Sequence, residues 1–465
     1  MKKEKTVFKC NNCGYESIRW MGKCPECNTW SSMEEEIILP EKKLGKSSQA
    51  IGKSPNPIKL SAIDIDESQR VKTSIEEFNR VLGGGIVRDS VTILTARPGA
   101  GKSTLLLEIA NDIAKKDYKV LYASGEESET QIRSRANRII DNIPEDIWIL
   151  SDTSMDNVLK TVEKIDPDLI IVDSIQTFTL AEFDSRAGSP IQTIETANAL
   201  VDMAKNKNKP RAVIMVGHMT KSNEMAGLRT LEHLVDTVLY LEGEAEEELR
   251  TLMATKNRFG PTGEIGLFSM REEGMVPIDN PSEYFITKRE KGINAEGSAL
   301  SVIKEGSRLI VVEIESLVSH SFTPFPSRIG ECLRRDQLNT LISILEQRGN
   351  VSLYDKNVVI KTTGGLKLSE QSVNLAIIMS IVSSVFNRPI PEGTVFIAEV
   401  GLTGELKKVP ALETRVRELD RMGFSKVYRP NGELKLKDKV KNIEVVEKRT
   451  LIEVIRDVFP YRIQS

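Results

Sequence analysis

Val91-Thr92-Ile93-Leu94-Thr95-Ala96-Arg97-Pro98-Gly99-Ala100-Gly101-Lys102-Ser103-Thr104-Leu105-Leu106-Leu107-Glu108 is the stretch that decides the fold. Its apolar, β-branched opening reads as a buried strand, its Pro- and Gly-bearing middle as a tight loop, and its leucine run as the start of a helix. That is the strand–loop–helix setting a phosphate loop requires. Backbone N–H groups of such a loop cradle phosphates, Lys102 reaches the β/γ-phosphates, and the Ser103 hydroxyl is a ligand for Mg²⁺. The nucleotide-binding residues expected from it are Ala96, Arg97, Pro98, Gly99, Ala100, Gly101, Lys102, Ser103 and Thr104. The common pattern opens on glycine. Ala96 is tolerable there as long as its φ stays negative, so the departure weakens the match only slightly.

A phosphate loop needs an acid at the end of a neighbouring apolar strand, and Leu169-Ile170-Ile171-Val172-Asp173 supplies it. Asp173 is expected to orient Mg²⁺ and its water. Between the two motifs the run 120–123 leads into Ser124-Gly125-Glu126-Glu127-Ser128, whose Glu126 is the candidate general base. ATP and Mg²⁺ are therefore the expected site ligands. Further apolar runs at 212–216 and 238–241 alternate with helical patterns, which predicts an α/β domain with a mainly parallel sheet over residues 60–280.

The flanks differ in character. Cys10, Cys13, Cys24 and Cys27 form two Cys-x-x-Cys pairs within residues 1–33, and four thiolates make the closed shell of a structural Zn²⁺ site. Lys-rich, Pro-bearing residues 34–59 read as a linker. Residues 281–465 form a second α/β block with strands expected at 309–314, 358–360 and 395–400 and helices at 336–347, 369–386 and 412–422. With 465 residues, 40% hydrophobic and 28% charged, the chain suits two or three globular domains rather than a disordered polymer. No apolar run is long enough to span a bilayer and no signal-peptide pattern opens the chain, so a cytoplasmic location without a membrane is expected. A net charge of −3 leaves nucleic-acid binding to local basic loops.

Taken in order, the four-cysteine finger, Arg80-Val81-Leu82-Gly83-Gly84-Gly85, the phosphate loop, residues 124–128, Val172-Asp173-Ser174-Ile175-Gln176-Thr177 and Lys256-Asn257-Arg258-Phe259-Gly260 resemble the RadA (Sms) family of bacterial DNA repair proteins. The loop departs from that family's usual form at Ala96 and Arg97, where Gly and Asp are common. The resemblance implies a RecA-like, DNA-dependent ATPase that forms a homo-hexamer. Such a motor would translocate on single-stranded and branched DNA and promote branch migration beside the RecA recombinase. By the same likeness Lys256 and Arg258 would reach a neighbour's γ-phosphate as arginine fingers do. Lys221 and Arg229, in a loop after the 212–216 strand, would touch DNA phosphates, and His218 would sense nucleotide state. Residues from about 358 onward are similar to the proteolytic domain of Lon, with Ser372 at the nucleophile's position. Arg415 stands at the lysine's position, and a guanidinium cannot take a serine's proton, so peptidase activity is not expected. The alternative to a motor is a nucleotide-switched DNA- or protein-binding module, with Arg97 slowing hydrolysis.

Overall fold

The computed structural model describes residues 70–465 except 219–227, 244–246, 291–294, 433–439 and 461–465; before residue 70 it describes 5–10, 16–17, 22, 25, 27, 29, 33–38 and 59–62. Two compact units divide the chain, Met1–Ile65 and Asp66–Ser465.

The first unit holds a three-stranded antiparallel sheet in which Lys5–Cys10 lies between Glu16–Ser17 and Met33–Ile38. Cys10 pairs with Met33 and Lys5 with Ile38. This corrects the expected boundary at residue 34: the acidic run Glu34-Glu35-Glu36 is strand, and the ribbon continues to Ile38 before any linker begins. The charges misled because a two-sided ribbon strand needs no apolar stripe.

The second unit contains two sheets. One has nine strands, ordered Gly274–Pro277, Ile265–Arg271, Leu249–Asn257, Thr237–Glu242, Val91–Ala96, Ala212–His218, Leu169–Asp173, Val120–Ser124 and Ile147–Ser151. The six from Thr237–Glu242 onward run parallel, and the first three extend them antiparallel. Side chains alternate with the two-residue period of a strand. Leu94, Ala96, Tyr122, Ile171 and Ile214 meet the helices Lys102–Ala114 and Glu129–Ile139 on one face. Val91, Ile93, Leu121, Val172 and Met215 meet Met155–Ile165 and Pro190–Ala204 on the other. Both faces are covered, which is why the central runs are continuously apolar.

The other sheet has seven strands, ordered Arg328–Gly330, Lys356–Thr362, Arg308–His320, Ser298–Glu305, Thr394–Phe396, Lys426–Pro430 and Glu444–Lys448. Helices Arg335–Gly349, Asn374–Phe386 and Leu451–Val458 share its larger core, and Leu412–Arg421 joins the smaller one. Leu249 and Leu267 of the nine-stranded sheet, with Ile278 just past its edge strand, belong to that larger core, so the two sheets are packed together. Two expectations need correcting. The helix expected from 369 begins at Asn374 after a 3₁₀ turn at Gln371–Val373, and the 395–400 strand is two pieces, Thr394–Phe396 and Glu399–Val400. Ala398 breaks the strand by turning its N–H to the Ser372 carbonyl at 3.0 Å.

Candidate nucleotide site

The phosphate loop leaves the sheet at the carboxyl end of Val91–Ala96 and enters the helix Lys102–Ala114 through Gly101. Gly99 and Gly101 have φ of 80° and 101°, values that favour glycine. A Cβ on Gly101 would also lie 2.3 Å from the Met270 Cε. Ala96 is fully buried in the strand and is not among the positive-φ residues, so its replacement of glycine costs the loop nothing.

Lys102 is only 7% exposed, and burial pulls its ammonium below the ordinary lysine range while Asp173 and Glu126 pull it back up. A buried cation at a helix N-terminus suits a polyphosphate. Ser103 donates from Oγ to Asp173 Oδ2 at 3.0 Å, and the buried Tyr122 hydroxyl donates to the same oxygen at 2.7 Å. Burial and then the Asp173 carboxylate push the Tyr122 phenol well above its ordinary range, so it stays a donor. Hydroxyl and carboxylate together are the oxygen set a Mg²⁺ ion takes, so the residues fit that ion.

Glu126 sits beside this pair. Its Oε1 accepts from Ser174 Oγ at 2.5 Å and meets His218 Nε2 at 2.9 Å. Ligand atoms of Glu126, Asp173 and His218 all lie within 4.8 Å of one another. The loop bearing Glu126 is braced from behind: Arg135 donates two bonds of 2.5 Å to the Glu127 carboxylate, and Ser151 donates to the Glu127 carbonyl at 2.8 Å.

Residues 54–224 match the AAA domain family, and residues 8–35, which carry all four ribbon cysteines, match the rubredoxin metal binding domain family. The chain is 41% identical to DNA repair protein RadA of Bacillus subtilis over 98% of its own length and 99% of that protein. It is 41% identical to RadA of Streptococcus pyogenes serotype M3, covering 99% of this chain and 100% of the relative. RadA of Listeria monocytogenes is 39% identical over 98% of this chain and 99% of its own. The chain belongs to the RadA family.

This RadA-family chain thus joins a zinc ribbon to an AAA-type ATPase core of RecA-like, largely parallel architecture. Cys13 and Cys24 lie outside the described residues, as does the Cys10 side chain; Cys27 Sγ is 3.4 Å from Thr29 Oγ1. Lys221 is likewise outside them, and Arg229 falls in the helix Leu228–Leu234 without a described side chain. Among the described residues no helix is long and apolar enough to cross a membrane.

Lys256 and Arg258 are not beside the phosphate loop of their own chain. Lys256 pairs with Val238, which pairs with Ile93, whereas Leu241 pairs with Ala96 at the loop. The RadA pentapeptide therefore lies at the amino end of the parallel strands. There the Lys256 ammonium donates to the Glu232 and Val235 carbonyls at 2.5 and 2.8 Å. Arg258 pairs with Asp236 at 3.0 Å, and Lys205 with the same carboxylate at 3.2 Å. The pentapeptide's glycine abuts the turn 83–85: a Cβ on Gly83 would sit 2.9 Å from the Gly260 Cα. Two of the motifs read separately in sequence are one structural joint.

In the C-terminal block Ser372, in the 3₁₀ turn Gln371–Val373, and Arg415, on the helix Leu412–Arg421, do meet. Arg415 is fully buried, donates to Ser372 Oγ at 3.4 Å and the Pro410 carbonyl at 3.1 Å, and pairs with Glu370 at 2.5 Å. Ser372, 3% exposed, donates in turn to Glu370 Oε2 at 2.9 Å. Sequence reading missed Tyr122, Ser174 and Asp236 as partners of the site residues. Only Ser174 carried a local signal, being adjacent to Asp173.

Proposed function

We propose that the chain is a DNA-dependent ATPase that translocates on DNA and promotes branch migration in recombinational repair alongside RecA. The single observation that carries this reading is the split of the catalytic set between opposite ends of one sheet. Lys102, Ser103, Asp173 and Glu126 gather at the carboxyl end, and Lys256 with Arg258 stand at the amino end. A cation there can meet a γ-phosphate only on a neighbouring copy, which favours a ring, a hexamer in the family's manner, with sites at its interfaces. Within each site Ser103 and Asp173 would hold Mg²⁺, Lys102 the phosphates, and Glu126 the attacking water. Lys221 and Arg229 are assigned to DNA phosphates, the four cysteines to Zn²⁺, and His218 to relaying nucleotide state to the following loop.

The Lon-like block is read as a scaffold rather than a peptidase. Ser372 faces Arg415 and Glu370, a cation that cannot accept its proton and a carboxylate already held by that cation.

ATP turnover with and without single-stranded DNA tests the motor, with Lys102→Ala as control. Stimulation by DNA, lost in the control, is expected. Mixing Lys102→Ala with Arg258→Ala, each inactive alone, should restore part of the activity through hybrid interfaces. Turnover indifferent to DNA would favour a nucleotide-switched binding module instead, and failure to complement would remove the shared site.

A further inference from the structure

Arg250 belongs to none of the motifs above, yet it is 2% exposed and among the largest fully buried side chains. It lies on Leu249–Asn257, separated from the phosphate-loop strand by one strand. Its Nε donates to the Ala100 carbonyl of the phosphate loop at 3.0 Å. One terminal nitrogen donates to the Leu249 carbonyl at 3.0 Å and to the Glu247 carbonyl at 2.5 Å. All three acceptors are main-chain carbonyls and none is a carboxylate. The guanidinium stays charged at any working pH, and carbonyl dipoles offset only part of what its burial costs. Gly243, earlier in the chain, leaves room for it: its φ is 150°, and a Cβ there would come 2.3 Å from Arg250 Cδ.

The acceptor explains why this position would keep such a residue. In a trans peptide the C=O and N–H point in opposite directions. Pinning the Ala100 carbonyl from beneath therefore turns the N–H of Gly101, in the same peptide unit, toward the opposite, phosphate-facing side. Ala100 is tied on its other side by its own N–H to the Arg97 carbonyl at 3.3 Å. We propose that Arg250 is a positioning residue of the ATPase site, holding the Ala100–Gly101 peptide in its phosphate-binding orientation and adding buried positive charge behind the loop. The assignment rests on the nucleotide reading above. It also ties the loop to the strand whose Leu249 packs into the C-terminal core.

Mg·ATP binding and steady-state turnover of the full chain test it, with thermal melting alongside. Arg250→Met should weaken ATP binding about tenfold, the worth of a hydrogen bond to a charged group. KM should rise while kcat changes less, with the melting temperature of the nucleotide-free protein kept or raised. Arg250→Lys should recover part of the affinity, because the charge returns without the fork. Wild-type affinity in a folded Arg250→Met overturns the proposal. Should that variant fail to fold, Arg250→Lys decides: several-fold weaker binding supports the role, and wild-type binding sinks it. Absence of ATP binding by the wild-type chain would sink the nucleotide reading itself, whereas an unchanged variant sinks only the arginine's part.

Discussion

Glu108 shows how much one side chain's surroundings decide. It lies on the phosphate-loop helix, and its carboxylate accepts from the Met275 N–H at 2.7 Å. Burial nonetheless pushes its pKa from 4.5 to about 7. The folded chain therefore prefers the neutral acid, and stability should fall as pH rises from about 4.5 to 7, the penalty being complete above that window. Glu108→Gln keeps an acceptor for Met275 and removes the penalty. It should stabilise the protein by about 2 kcal/mol at pH 8 and by little at pH 4.5, read from urea denaturation at the two pH values. A pH-independent effect would show that the acid is ionised in the fold. Lys102, Asp173 and Glu126 were legible as candidate site residues because each sits at a fixed offset from its own strand. Tyr122, whose hydroxyl is 2.7 Å from Asp173, was not, because its partner is 51 residues away and tyrosine in an apolar strand reads as core.

Among the elements, the helix Glu129–Ile139 has the clearest start signal. Ser128 accepts from the Gln131 N–H at 3.4 Å and the Gln131 side chain accepts from the Ser128 N–H at 2.9 Å, the reciprocal pattern of a capping box. Arg135 on that helix braces Glu127, next to the candidate base. Ser128→Ala should cost about 1 kcal/mol of stability. It should also lower turnover more than ATP affinity, since the loop it loosens carries Glu126 rather than the phosphate cradle. Equal loss in both would place the cap's effect elsewhere. The same scale shows where pattern reading falters. Strand–helix alternation identified five of the six parallel strands, but it missed the half-buried edge strand Ile147–Ser151, and the charged run 34–36 looked like linker.

For the whole molecule, the decisive contact joins the ATPase core to the C-terminal sheet. Glu77, 1% exposed on the helix Glu76–Leu82, pairs with Arg308 at 2.7 Å and accepts from the Leu267 N–H at 2.9 Å. Burial raises its pKa even though Arg308 and Arg80 pull it down. Arg308→Ala would leave a buried carboxylate short of its main cation and should destabilise the chain by about 3 kcal/mol. Glu77→Gln in the same chain should return part of that loss, as a double-mutant cycle in denaturant would measure. Additive losses would mean the two side chains do not depend on each other.

The sequence alone determined the chemistry that is local: a phosphate loop between strand and helix, an acid closing the next-but-one strand, four cysteines in a short ribbon. Such motifs survive reading because their geometry is set by neighbours a few residues away. Tertiary structure alone decided which end of the sheet each cation occupies. It set Lys256 and Arg258 opposite the phosphate loop and brought Arg250 beneath Ala100 across 150 residues of chain. It also set Arg415 against Ser372, with the Glu370 carboxylate bonded to both. These outcomes depend on strand order and on which buried charge finds which carbonyl. Both are fixed by packing the whole core at once, and no short window of sequence carries them.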